Sequence, residues 1–470
     1  MGGAVENAAG GVPSARVYKS KANACGLDHS RGHGDLAATI MADAARDGQT
    51  ALALRLVKLL APLPLGDEAT AAIERNVAFS PLSVHAALAL VAEGARGATQ
   101  AQLLSFLGAS SAAELAAFGR RVTDSVLADR EDTGGPRVLF GGGLWVDESC
   151  GEIKEAFRDV AAGSYKSEAR TVSFVKKPEG AVEMINNCVK QATNGLIDSI
   201  ISTDDIDAET DLVLANAVYF KGVWLDVFEP YCTSPGTFHR LDGSLVEAQF
   251  MASSYHGHYV SCMDGFKVLR LPYRPNLGAY EWDRLLERRE RQRKMFARAG
   301  IPRTAPDADD RQYSMFVFLP DELDGLPTMV DLITAAPGYL YGALPRTKPE
   351  TVHLMLPKFE INFNWDVVSD LRRLGLSLPF SREVGDLRGM CEKDDGRRRP
   401  TFLSKVAHMA IVKVNEEGTE AAAATGEVRG GGFRPTDIVE FTADHPFTFI
   451  IMEEGSGVIV FAGHVLDPTK

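Results

Sequence analysis

From Thr50 onward the apolar residues fall at helical spacing. The run TALALRLVKLLAPL repeats its leucines and valine at intervals of three and four, which predicts an amphipathic helix. After NVAFSPLS a further helix is expected, with Ser80 as its N-cap and Pro81 at the first helical position, where a missing N–H is tolerated. The stretch SVHAALALVAEGARGATQAQLLSFLGA then reads as two helices separated by Gly94 and Gly97. Later runs change period: PRVLFGGGLWVD, TDLVLANAVYF, FKVLRLPY and YSMFVFLP are β-branched and aromatic, bounded by Gly, Pro or charge, and predict buried strands. Between them GAVEMINNCVKQATNGLIDSII, with Gly195 as a cap, and WDVVSDLRRLGL predict helices. The C-terminal EFTADHPFTFIIMEEGSGVIVFAGHV reads as two strands joined at EEGSG. Helices first and strands interspersed later place the fold in the α+β class.

Two segments fall outside this pattern. Residues 1–46 are rich in Gly, Ala, Ser and charge without a sustained period, and are expected to form a poorly ordered N-terminal extension. Tyr280 to Asp310, containing EWDRLLERRERQRKMFARAG, interrupts two strand-like runs and looks inserted; its interleaved charges suit a short solvated helix. The expected organisation is one large domain over residues 47–470, with no internal repeats.

Composition narrows the function classes. With 45% hydrophobic and 24% charged residues, the chain has the means for a sizeable core. A net charge of -13 offers no domain-wide basic surplus for neutralising phosphates, so no nucleic-acid partner is expected. Six scattered cysteines without a CxxC fit a reducing compartment. The start MGGAVENAAGGVPSARVYKSK lacks the basic-then-apolar run of a secretory signal, and no stretch approaches the ~18 apolar residues of a membrane span. A soluble cytoplasmic monomer is the expectation, with export by a route not visible in the sequence as the alternative. GxSxG, the P-loop, GxGxxG after a strand and HExxH are all missing, which argues against an enzyme. Cys25, His29 and His33, and separately His256, His258 and Cys262, are weak metal candidates, and neither a metal nor a cofactor is expected. Gly430, Gly431 and Gly432 lack a strand-to-helix context and read as a flexible loop rather than a phosphate cradle.

The informative segment is Val412 to Gly426, VKVNEEGTEAAAATG. Propensity alone makes its alanines helical, yet the tract has no apolar stripe to bury and runs into Gly426 and the glycine triplet. A tract of small residues that must slip between strands accounts for the same letters. Here the chain resembles the serpin family, and its plant members in particular, through NEEGTEAAAAT at Asn415 to Thr425. The motifs NVAFSPLSVHAALALVAEGARGATQAQL from Asn76, NAVYFKGVW from Asn216, LPKF from Leu356 and FTADHPFTFII from Phe441 follow in the family's order and carry the resemblance over residues 47–468. Thr448 and Cys188 depart from it, standing where the family usually has an apolar and an aromatic residue.

The resemblance implies three β-sheets surrounded by about nine helices and an exposed reactive-centre loop over residues 418–440. It implies a suicide-substrate inhibitor: a target serine, or cysteine, protease attacks the loop, and the cut loop inserts as a new central strand while the acyl-enzyme persists. A non-inhibitory binding or storage protein is the alternative. The hinge would comprise Glu416, Glu417, Gly418, Thr419, Glu420, Ala421, Ala422, Ala423 and Ala424. By the same resemblance Ser80, Ser83, Asn186 and His408 form the shutter beneath the opening point of the sheet. Trp224 and Lys358 form the breach, with Lys358 pairing Glu416. Family spacing puts the scissile bond between Gly432 and Phe433, a poor bait for a trypsin-like enzyme. Alternation from Thr419 would turn Glu427 and Arg429 toward the core of the inserted strand, unless a bulge at Gly426 turns Val428 inward instead.

Overall fold

A computed structural model describes residues 44–62, 75–127, 136–253, 258–274, 312–345, 352–392, 401–419 and 438–470. The first helix, α1 (Ala44–Leu59), opens inside the segment assigned above to the extension, and its stripe includes buried Gln49 and Thr50. Gln49 donates to the carbonyl of Ile459 at 2.9 Å, and Thr50 shares a 3.0 Å hydrogen bond with the Tyr341 hydroxyl. Satisfied polar groups thus sit at core positions of this helix. Helix α2 (Pro81–Gly94) starts as its sequence predicts: the Ser80 side chain accepts from the Ser83 N–H at 3.2 Å, with Pro81 in the first turn. The remaining helices are α3 (Gly97–Leu107), α4 (Ala112–Ser125), α5 (Glu155–Tyr165), α6 (Pro178–Ala192), α7 (Leu326–Thr334), α8 (Pro337–Ala343) and α9 (Val368–Arg373), nine in all among the described residues. Gly195 closes the end of α6 by donating to the Lys190 carbonyl at 2.8 Å.

Among the described residues sixteen strands form three sheets. They are β1 (Val77–Phe79), β2 (Arg137–Asp147), β3 (Ser167–Val172), β4 (Leu212–Val223), β5 (Ser234–His239), β6 (Leu245–Ser253), β7 (Tyr259–Met263) and β8 (Phe266–Pro272) in the first half. The second half supplies β9 (Tyr313–Pro320), β10 (Val352–Pro357), β11 (Phe359–Asp366), β12 (Lys405–Val414), β13 (Gly418–Thr419), β14 (Val439–Thr442), β15 (Phe447–Glu453) and β16 (Val458–Val465). One six-stranded sheet runs β1-β16-β15-β9-β8-β7, a four-stranded sheet runs β14-β10-β6-β5, and the central sheet runs β11-β12-β13-β4-β2-β3. Trp365 and Asp366, expected at the head of a helix, end β11 instead, whose buried and exposed residues alternate strictly from Phe359 to Asp366.

The central sheet separates two apolar layers. On β4, Leu212, Leu214, Val218 and Phe220 join the main core, while Val213, Ala215 and Ala217 face a smaller cluster with Trp145, Ile185 and Val189 that packs α6 onto the sheet. Cys188 of α6 lies at the margin of this cluster, where burial and then neighbouring Glu168 push its thiol up to about 11. A thiol held protonated in this way is a poor nucleophile at neutral pH. Thr448 also has a structural reason, since its hydroxyl lies 2.9 Å from Nδ1 of the buried His464.

Candidate functional site

Strands β12 and β4 run parallel and pair directly from Lys405↔Val213 to Ile411↔Tyr219. Above that point they part, and the two residues of β13 occupy the gap. Thr419 stands opposite Val414 of β12 and Gly222 of β4, while Gly418 stands opposite Val223, all antiparallel. Gly418 is there for a steric reason: a Cβ would collide with the Gly222 carbonyl oxygen.

The root of this short strand is fastened by backbone and side-chain contacts. Trp224 donates its indole N–H to the Asn415 carbonyl at 3.0 Å and its backbone N–H to the Glu417 carbonyl at 2.8 Å. Phe228 N–H donates to the Glu416 carbonyl at 2.8 Å, and Asn415 Oδ1 accepts from the N–H groups of Glu417 and Gly418. The structure brings Lys358 and Glu416 together, with Nζ 2.9 Å from Oε2, and Thr233 donates to the same carboxylate at 2.8 Å. Burial opposes ionisation of Glu416, yet the Lys358 ammonium and the Thr233 hydroxyl hold it below the usual carboxylate range. The side chains are 39% and 14% exposed, so the pair sits at the sheet's rim rather than in its core.

Lower down, between β4, β12 and the start of α2, lies a buried polar cluster of Ser80, Ser83, Asn216 and His408. Ser80 N–H donates to His408 Nε2 at 3.0 Å, which requires the proton on Nδ1; that nitrogen hydrogen-bonds Asn216 Oδ1. Ser83 Oγ donates to the Ser80 carbonyl at 3.1 Å, and Asn216 Nδ2 donates to the Ser83 carbonyl at 3.3 Å. Burial pushes His408 down to about 3, so the ring is neutral at ordinary pH.

Asn186, assigned to this cluster from the sequence, does not belong to it. It lies on α6 and holds the chain after that helix, accepting from Ile200 N–H at 2.9 Å and Ile201 N–H at 3.2 Å and donating to the Ile201 carbonyl. Asn216 fills the role, inside the NAVYFKGVW motif and directly paired with His408 in the parallel register. The Asn216→Ala variant takes from the buried His408 Nδ1–H its close acceptor, leaving only Ser83 Oγ at 3.4 Å. It is expected to lose about 2–3 kcal/mol, read as a lowered urea midpoint with an unchanged slope.

Of the other expected site residues, Glu420 and Ala421 to Ala424, and the bond between Gly432 and Phe433, lie outside the described residues, as does the segment 280–310. His256 is also outside them. His258 is hydrogen-bonded to Ser253 Oγ at 2.9 Å, and no group of three potential metal ligands occurs among the described residues.

The profile of the family described as "Serpin (serine protease inhibitor)" matches residues 48–281 and 306–468. The chain belongs to the serpin family. Its members are typically protease inhibitors that bind their target proteases. The chain is 45% identical over 430 residues to putative serpin-Z5 of Oryza sativa subsp. japonica, covering 90% of each, and 41% identical over 439 residues to serpin-Z2A of the same plant, covering 92% of this chain and 99% of the other. The solved structure of the Arabidopsis serpin AtSerpin1 in its native stressed conformation is similar at a TM-score of 0.74 and 34% identity, over 91% of this chain and 99% of that one. The break in the serpin profile, residues 282–305, falls within the segment that the sequence pattern set apart.

Proposed function

We propose that this serpin inhibits a serine or cysteine protease by forming a covalent acyl-enzyme at its loop and then drawing the cut loop into the central sheet. The attacking oxygen or sulfur bonds to the carbonyl carbon of the residue before the cut, and the peptide bond to the following residue breaks, releasing its amine. The chain itself supplies no catalytic group. The observation that carries this reading is β13: two residues of the hinge, Gly418 and Thr419, already stand between β12 and β4, paired with both. Continued into the sheet, that antiparallel register would bring Thr425 opposite His408 and Asn216, so the incoming hydroxyl would meet the polar cluster of Ser80, Ser83, Asn216 and His408.

A second reading, a serpin that is cut without trapping, draws support from the same register, because Glu427 would face Val406 and Leu214 in the main core. Incubation with trypsin-, chymotrypsin- and elastase-like serine proteases and with papain-like cysteine proteases separates the two. An SDS-stable complex is the expected product; cleavage by every class with no complex would overturn the inhibitory reading. Mass spectrometry of the released C-terminal peptide is expected to show a fragment beginning at Phe433.

A further inference from the structure

The loop has a register problem that its own sequence cannot solve. Side chains on a strand alternate with a period of two, and a slip of one residue turns every inward group outward. Ala421 to Ala424 are identical and carry no information about which row each should enter. The row has to be chosen ahead of the alanines, at Thr419, the last residue of the hinge seated in the sheet.

The contacts of Thr419 single out one partner. Its side chain is fully buried, and Oγ1 lies 2.7 Å from the hydroxyl of Tyr273, itself fully buried. Tyr273 sits just after β8 with its backbone fixed: its N–H donates to the Tyr313 carbonyl at 2.9 Å, and Gln312 Nε2 donates to its carbonyl at 2.6 Å. Its ring stacks on Trp224 with centroids 4.5 Å apart and an 18° interplanar angle, and meets Phe220 edge-on at 4.9 Å. The ring also crosses β4 at Gly222, the residue opposite Thr419, where a Cβ would stand 2.6 Å from Tyr273 Cδ1. Glycine at 222 therefore opens the path along which the hydroxyl reaches Thr419.

We propose that Tyr273 is the positioning residue that fixes the register in which the loop enters the central sheet, by holding Thr419 core-side before any protease arrives. This rests on the insertion reading above. With Thr419 pinned, Ala421, Ala423 and Thr425 follow on the core face. Without the pin, a one-residue slip presents Glu420 to the core and moves Thr425 away from His408, and the identical alanines offer no correction. A pinned first pair also turns strand formation into extension of an existing ladder, removing the slow closure of the first contact.

The test uses the full chain, its loop cut by a protease that the chain does not trap, and follows the rise in thermal midpoint of the cut protein with time. The wild-type chain is expected to gain stability. Tyr273→Phe and Thr419→Val are expected to gain it several-fold more slowly, while Thr419→Ser, which keeps the hydroxyl, behaves as wild type. Thermal midpoints of the intact variants report any purely structural effect separately. If the cut wild-type chain gains nothing, the insertion reading falls and the pin with it. If it gains stability and Tyr273→Phe and Thr419→Val gain it just as fast, insertion stands and the pin is overturned.

Discussion

Acidification from about pH 7 to about pH 5 is expected to remove roughly 5 kcal/mol of folding stability, through three histidines that the fold keeps neutral. Burial pushes His408 down to about 3 and His85 and His464 down to about 4, although a backbone hydrogen bond to Leu107 supports His85 and one to Val57 supports His464. The geometry explains why a proton is unwelcome. His408 Nε2 already accepts from the Ser80 N–H, His464 Nδ1 lies 2.9 Å from the Thr448 hydroxyl, and the buried His85 Nε2 has no hydrogen-bond partner among the described residues. In the unfolded chain each ring titrates near 6.5, so below that pH the unfolded state binds up to three protons that the folded state refuses. Stability is therefore fully present above about pH 6.5 and is lost as pH falls, with a slope approaching ~4 kcal/mol per pH unit while all three stay neutral in the fold. Glu93 and Glu454, raised by burial, partly offset the loss at the acid end, because a folded-state carboxyl that takes its proton early stabilises the fold. Urea midpoints at several pH values check this, and His464→Gln is expected to flatten the slope by about one proton. A midpoint constant from pH 7 to pH 5 would show that the three rings titrate normally in the fold.

Much of the architecture was legible because local chemistry agreed with it. Ser80 and Pro81 announce the start of α2, whereas the alternation from Phe359 to Asp366 that makes β11 went unread, and the helix expected from Trp365 began too early. The missed onset of α1 has a physical cause: Gln49 and Thr50 face inward and are satisfied by Ile459 and Tyr341, residues about three to four hundred positions away, so the helical stripe looked interrupted. The same distance effect governs the site. The hinge was readable from NEEGTEAAAAT, but its seating was not, because β13 is two residues long and its partners are Val414, Gly222 and Tyr273. Asn186 and Asn216 are indistinguishable as letters; only the pairing of β4 with β12 puts one of them beside His408. Tyr273 carried no motif at all. A signal was nonetheless present in the glycines, since Gly222 and Gly418 are both required by close approach and stand on facing strands.

Replacing Glu427 by valine is expected to deepen the insertion of the cut loop, and the register explains why. Thr419 stands opposite Val414 and Gly222, so eight residues further along the same antiparallel ladder residue 427 stands opposite Val406 and Leu214, which pair with each other in the closed sheet. Both are buried in the main core, and an unpaired carboxylate there costs about 3 kcal/mol or more, over a hundredfold in the insertion equilibrium. Arg429, two residues on, falls level with Ser404 and Leu212 near the end of the sheet, where a long side chain has a shorter route to water. Glu427→Val should therefore raise the thermal midpoint of the loop-cleaved chain by several degrees and increase the share of protease captured rather than released, while leaving the intact chain unchanged. The glycine at 426 offers the loop one escape, a bulge that turns Glu427 to the other face and brings Val428 inward. The two arrangements give opposite results. With a regular strand Glu427→Val stabilises the cleaved chain and Val428→Glu does little; with a bulge Glu427→Val does little and Val428→Glu abolishes the gain in stability.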